Sequence, residues 1–314
     1  TMKAKIIFKQ ILVLFVVILI SVTIGCKKEE PADEQAVTGS LQQLSRDEAM
    51  FNQAVGDLLS DEDKILTNTT SKSVNADSLP CNVVVETIFD SASYSISVTF
   101  NGLNCEGTYE RVGNVTFTSQ YMILWNQKNA KVNVTYNNLK ITHVATGKYI
   151  ILNGQKTFGN VSGGLLFQIP LGLGSIVHRA YGNFEITFDD NTKRTWNLAR
   201  QRTYTGGLFG QYLITDEGFG TAGNLTNLEV WGTNRQNELF YTQISTPVVF
   251  KQACYWAPVS GVKSHQIPSK QIVATVTFGY DDNNLPVSGT NCPTRYRLDW
   301  QNGANSGTLY LPLH

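Results

Sequence analysis

The chain has 314 residues, 25 Lys+Arg against 25 Asp+Glu, and only 16% charged residues, where an average soluble domain carries about 25%. That length allows about two domains or one large β body, the zero net charge excludes the basic footprint of a nucleic-acid binder, and 11% aromatics exclude a largely disordered chain. With 31 Thr, 26 Asn and 26 Gly beside 3 Met, the composition points to strands and turns.

Residues 1–25 read as an export signal. Lys3, Lys5 and Lys9 form a basic start, Ile11 to Ile20 is an unbroken apolar run too short for an ordinary membrane span, and Gly25 places a small residue directly before Cys26. Residues 26–44 follow as a charged tether that opens with Lys27-Lys28-Glu29-Glu30. Ser45 and Glu48 have the spacing of a capping box, and Met50, Phe51, Ala54, Val55, Leu58 and Leu59 repeat at helical spacing, which predicts an amphipathic helix over 45–60 laid against a sheet. Residues 61–80 read as an acidic, polar connector.

From residue 81 the pattern changes to short β-branched and aromatic runs separated by Gly, Asn and Asp. Tyr94 to Phe100 and Lys131 to Tyr136 alternate cleanly, Phe184–Phe188 and Lys193–Leu198 flank the polar turn Asp189–Thr192, and further runs follow to Leu311. The predicted fold class is all-β, an antiparallel sandwich or extended meander of two weakly related β modules, 81–205 and 206–314, with one short N-terminal helix. The module reading rests on a faint repeat. Cys81 precedes Val98-Thr99-Phe100 and then Asn104-Cys105, and Cys254 precedes Val276-Thr277-Phe278 and then Asn291-Cys292.

Setting Cys26 aside leaves Cys81, Cys105, Cys254 and Cys292, an even number in an exported chain, which reads as two disulfides with three possible connectivities. The local pairs Cys81–Cys105 and Cys254–Cys292 are preferred because each closes one hairpin-sized segment. A metal site is not expected, since no Cys-x-x-Cys occurs and His143, His178, His265 and His314 lie away from the cysteines at ligand spacing.

The Gly25-Cys26 junction resembles the lipobox of bacterial lipoproteins, and the charged stretch behind it resembles the surface-export signal of Bacteroidota lipoproteins. With Arg111-Val112-Gly113-Asn114-Val115, Val134 to Leu139, Gly154-Gln155-Lys156-Thr157 and the two cysteine modules, the whole chain resembles a family of flavobacterial-type Bacteroidota outer-membrane lipoproteins. The resemblance implies cleavage before Cys26, acylation of Cys26, membrane lipid as a partner, and an outer-membrane location on the cell surface ahead of the periplasmic face. It carries over no activity. Asp77-Ser78-Leu79 and Asp90-Ser91-Ala92 resemble the Bacteroidota O-glycosylation motif, which makes Ser78 and Ser91 candidate acceptors.

No catalytic residue and no cofactor is expected. There is no Gly-x-Ser-x-Gly elbow, no His-Glu-x-x-His helix and no phosphate-cradling glycine spacing. The doublets Asp189-Asp190, Asp216-Glu217 and Asp281-Asp282 supply the paired carboxylates a glycosidase would use, but they read as turn residues. Asp281 to Asn284 lacks the spacing of a calcium loop. Trp125, Trp196, Trp231, Trp256 and Trp300 are either packing residues or, where exposed, faces on which sugars stack. The expected role is therefore a lipid-anchored, non-catalytic protein of binding, adhesion or structural contact, with a polysaccharide or envelope protein as partner and no nucleic acid. The alternative is a surface glycan-binding or glycan-processing accessory lipoprotein.

Overall fold

A computed structural model describes residues 32–69, 79–89, 93–120, 124–171, 174–206 and 212–313. Cys26, Ser78, Ser91 and His314 lie outside the described residues. Leu41–His314 forms one compact unit, separate from the residues before it, and the contacts described below lie within it.

Among the described residues one α-helix, α1 (Ala32–Thr69), precedes fifteen strands. These are β1 (Val83–Phe89), β2 (Tyr94–Leu103), β3 (Tyr109–Ser119), β4 (Ala130–His143), β5 (Tyr149–Asn160), β6 (Ser175–Phe188), β7 (Lys193–Gly206), β8 (Tyr212–Gly218), β9 (Gly220–Ala222), β10 (Leu225–Thr233), β11 (Leu239–Lys251), β12 (Ala257–Ile267), β13 (Ile272–Tyr280), β14 (Arg295–Asn302) and β15 (Asn305–Pro312). Apart from this helix and three short 3-10 turns, the described residues form an all-β fold. All ladders are antiparallel and belong to one sheet, ordered β1 to β7 and then β10 to β15. The extended meander is thus the form adopted.

Between the long strands β7 and β11 the sheet divides. β10 pairs with Thr195–Leu198 and with Leu239–Gln243, while β8 pairs with Arg200–Gly206 and with Val248–Lys251. Ladder pairing therefore continues across residue 206, the expected module boundary. The faint repeat has a structural counterpart: Val98-Thr99-Phe100 lies in β2 and Val276-Thr277-Phe278 in β13, the second strand of a hairpin in each case. Cys81–Cys105 clips the open end of β1–β2, and Cys254–Cys292 clips that of β12–β13, with Cα separations of 5.1 and 5.3 Å.

Alternate strand residues sort into two faces. Ile96, Val98 and Phe100, then Val132, Val134 and Tyr136, then Ile150 and Leu152 are buried, and the intervening Ser97, Thr99, Asn133, Thr135 and Ile151 belong to an outer, mostly polar face. The buried face packs on α1, whose Leu41, Leu44, Phe51, Ala54, Val55, Leu58, Leu59, Ile65 and Leu66 are all buried. Three consecutive helix residues show how the sheet reaches them. Asp61 pairs with Arg111 of β3, Glu62 with Tyr136 of β4 and Lys156 of β5, and Asp63 lies 3.9 Å from His178 of β6. Successive helical side chains point about 100° apart, so a flat sheet would meet one of them and not all three. The sheet curls around the helix.

α1 is longer at both ends than the predicted 45–60, and the tether (26–44) and connector (61–80) boundaries shift with it. Ser45 is not an N-cap but a mid-helix residue whose Oγ lies 2.6 Å from Tyr296 Oη, and Glu48 accepts from Thr242 rather than closing a capping box. The acids at 61–63 read as a solvated segment because no apolar partner accompanies them in the sequence. Their partners are basic and aromatic residues at inward positions on distant strands.

Candidate binding face

The inner face holds the charge. Asp47 lies 2.7 Å from Arg235 and 3.7 Å from Arg194, whose guanidinium stacks 4.4 Å from the Trp196 ring and 4.5 Å from Phe240. Burial pulls Arg194 down to about 10, against the nearby Glu48 and Asp47. Thr242 Oγ1 donates to Glu48 at 2.6 Å and lies 2.9 Å from His265 Nδ1. This Thr–His–Glu group has the outline of a nucleophile and base, yet all three residues are buried between helix and sheet. Burial lowers the His265 pKa, with Glu48 opposing.

The acids at the far end of α1 sit in the same kind of environment. Burial raises Asp63 to about 6, opposed by the Trp125 indole that donates to it at 2.8 Å. Burial drops His178 to about 3, and the Arg202 charge adds to the effect. Lys156 lies 2.6 Å from Glu62; burial lowers its pKa and Glu62 holds it up. Where β8 and β10 meet, burial acts to raise Glu229, but Lys263 at 2.5 Å and Arg200 at 2.7 Å drive it down to about 2. Arg202 grips Asp216 through two hydrogen bonds of 2.7 Å. These pairings hold helix to sheet and strand to strand, and their side chains are largely buried.

The acidic doublets divide. Asp189-Asp190 and Asp281-Asp282 are turn residues as expected: Asp190 accepts from Thr192, and Asp281 Oδ1 accepts from the backbone of Asn283 and Leu285. Asp216-Glu217 is a correction, because both lie in strand β8, Asp216 on Arg202 and Glu217 on Gln201. Trp125, Trp196 and Trp300 are core residues, Trp231 is half-buried, and Trp256 is 43% exposed beside Tyr255, which is 96% exposed. Among the described residues no group of three or more His, Cys, Asp or Glu is placed to hold a metal. No described helix is long and apolar enough to cross a membrane.

The open feature lies on the outer face. Over β4 to β7 a shallow depression of about 820 Å³ is lined by Thr135, Asn137, Asn153, Gln155, Asn183, Glu185, Thr195 and Asn197, with Tyr136, Gly154, Phe184 and Trp196 beneath. It sits where β5 and β6 approach closely. Gly154, at φ +137°, has no room for a Cβ against the β6 backbone at Asn183 and Phe184, and Gly182 is equally close to Gln155 and Lys156 of β5. Glycine alone lets the two strands approach so closely there.

The register aligns the lining residues into rows. Thr135, Gln155, Asn183 and Asn197 are direct cross-strand neighbours, as are Asn153, Glu185, Thr195 and Thr233. Asn153 donates to Asn138, Asn197 donates to the Trp231 carbonyl, and Thr195 pairs with Thr233. Glu185, the one carboxylate in the lining, accepts from Lys193 at 2.7 Å. The chemistry on offer is therefore amide and hydroxyl hydrogen bonding at a nearly neutral surface. Outward Asn and Thr are visible in the alternation of each strand, but their assembly into rows needs the register, which single-strand patterns do not carry.

Neither family models nor curated proteins nor solved structures yielded a match to this chain.

Proposed function

We propose that this chain is a lipid-anchored cell-envelope protein, tethered to the outer membrane through acylated Cys26, that works by non-catalytic binding, adhesion or structural contact. The observation that carries the reading is the division of labour between the two sheet faces. The described inward acids and bases are engaged with one another around α1, while the outer face offers a neutral depression of amides and hydroxyls. A single lining carboxylate does not provide the pair that glycoside hydrolysis requires, which favours holding a ligand over cleaving one. The export signal, the small residue before Cys26 and the two disulfides support an envelope location.

Metabolic labelling with an alkyne fatty acid tests the anchor. The wild-type chain should take up label and fractionate with outer membrane, and Cys26→Ser should do neither. Protease added to intact cells tests the side: surface exposure predicts digestion without lysis. Label on the Cys26→Ser variant, or a wild-type chain that is unlabelled and soluble, overturns the anchoring reading. A second reading, a surface glycan-binding or glycan-processing accessory lipoprotein, is favoured by the Asn, Gln and Thr rows of the depression.

A further inference from the structure

We infer that the depression over β4–β7 is a site for a strand of uncharged polysaccharide. The inference rests on the outer face being this chain's binding surface, and it names what that surface takes.

Three features converge on that class. The first is hydrogen-bond chemistry. Asn137, Gln155 and Asn183 are exposed, and among the described residues no side-chain hydrogen bond engages them. A primary amide carries two donors and an acceptor side by side. Vicinal sugar hydroxyls, which both donate and accept, match that pattern, whereas an anion uses only the donors.

The second feature is charge. The lining carboxylate Glu185 is balanced by Lys193, and the other outward lining residues are neutral, so no unpaired cation waits for a carboxylate, sulfate or phosphate. An acidic polysaccharide would find no cation in the lining free to pair with it. The third is spacing and shape. Neighbouring strands lie about 4.8 Å apart, so the row Thr135–Gln155–Asn183–Asn197 repeats at an interval close to the rise of one pyranose unit in an extended β-linked chain. Tyr181 stands one pleat from Asn183 on the same face of β6 and is 48% exposed, an open ring on which a sugar face can stack.

The test is isothermal titration of the full chain in detergent micelles against soluble β-glucan, β-mannan and β-xylan, with alginate as the carboxylated counterpart. At least one neutral polysaccharide should bind and alginate should not. The double variant Gln155→Ala/Asn183→Ala should weaken binding about tenfold, as expected for two lost neutral hydrogen bonds. Tyr181→Ala should weaken it about fivefold through the lost stacking surface. Gln301→Ala, exposed on β14 away from the depression, should leave binding unchanged. Melting temperatures equal to wild type keep these losses from being losses of folding.

Preference for alginate overturns the inference, as does neutral-polysaccharide binding that the depression variants do not weaken. If no neutral polysaccharide binds while the full chain still sediments with isolated cell envelopes, this inference fails and the anchored-envelope reading stands. If it binds neither, both fail.

Discussion

Gly154 of β5 lies opposite Phe184 and Gly182 of β6 lies opposite Lys156, and the close approach of the two strands depends on what these glycines lack. A Cβ on Gly154 would lie 2.8 Å from the Phe184 Cα, and one on Gly182 would lie 2.5 Å from the Lys156 Cα. Both obstacles are backbone, so they can yield only by moving a strand. Gly154→Ala is therefore expected to destabilise the fold by about 2–4 kcal/mol, read as a lower urea midpoint. Gly174→Ala, where no atom lies within 4 Å of the new methyl, should change stability by no more than about 0.5 kcal/mol.

Asp63 and His178 make a second residue-scale case, with opposite signs. A histidine lowered from 6.5 to about 3 stabilises the fold fully above pH 6.5, and that stability is lost as pH falls toward 3. A carboxyl raised from 3.8 to about 6 destabilises the fold above pH 6 and is relieved as pH falls through 6 toward 3.8. Between pH 7 and 4 each change is worth about 2–3 kcal/mol, at about 1.4 kcal/mol per pKa unit, so the two nearly cancel in the wild type. Asp63→Asn should leave the histidine effect unopposed and make stability fall steeply from pH 7 to 4. His178→Gln should do the reverse, with stability rising as pH falls over the same range. Denaturant titrations at pH 7, 5.5 and 4 measure both slopes, and parallel profiles for the two variants would contradict this account.

At the scale of elements, α1 is attached to the sheet by ion pairs as much as by its apolar stripe. Lys156 and Glu62 are both fully enclosed, with Tyr136 donating to the same carboxylate. Removing one partner of a buried pair leaves the other charge uncompensated, which costs about 3–5 kcal/mol, whereas removing both is far milder. Glu62→Gln, which retains an acceptor for Tyr136, is expected to destabilise by about 3 kcal/mol. Adding Lys156→Met should recover more than half of that. A thermodynamic cycle in urea checks it, and strictly additive losses would show that the two side chains do not act as a pair.

The same element marks the limit of what the sequence discloses. The all-β body, the helical stripe from Met50 to Leu59 and the hairpin turn at 189–192 are legible because each follows from local periodicity or turn chemistry. The preference for local disulfides follows from proximity along the chain, and both pairs form. The helix ends are not legible locally, since Asp61, Glu62 and Asp63 look solvated until Arg111, Lys156 and His178 are brought round them from strands 50 to 115 residues away. The outer-face rows are hidden for a related reason: Gln155 and Asn183 become neighbours only through the β5–β6 register.

For the Leu41–His314 unit taken whole, neither part is self-sufficient. Withdrawn from the sheet, the helix would expose its apolar stripe and its five buried acids, Asp47, Glu48, Asp61, Glu62 and Asp63. The sheet would in turn expose the inner face of a single layer together with buried Arg111, Lys156, Arg194, Arg200 and Lys263. Partial unfolding that frees the helix thus leaves charge unpaired on both sides, and one cooperative transition is favoured over stepwise loss. The tryptophans report on this directly, because Trp196 stacks 4.1 Å from Phe51 of the helix and Trp125 donates to Asp63 near its end. Tryptophan fluorescence, which senses the docked helix, and far-ultraviolet circular dichroism, dominated by the strands, should therefore follow the same urea curve with the same midpoint. A fluorescence transition at clearly lower urea would mean that the helix undocks from an intact sheet, and that the ionic pairing around it is not what makes the unit fold as one.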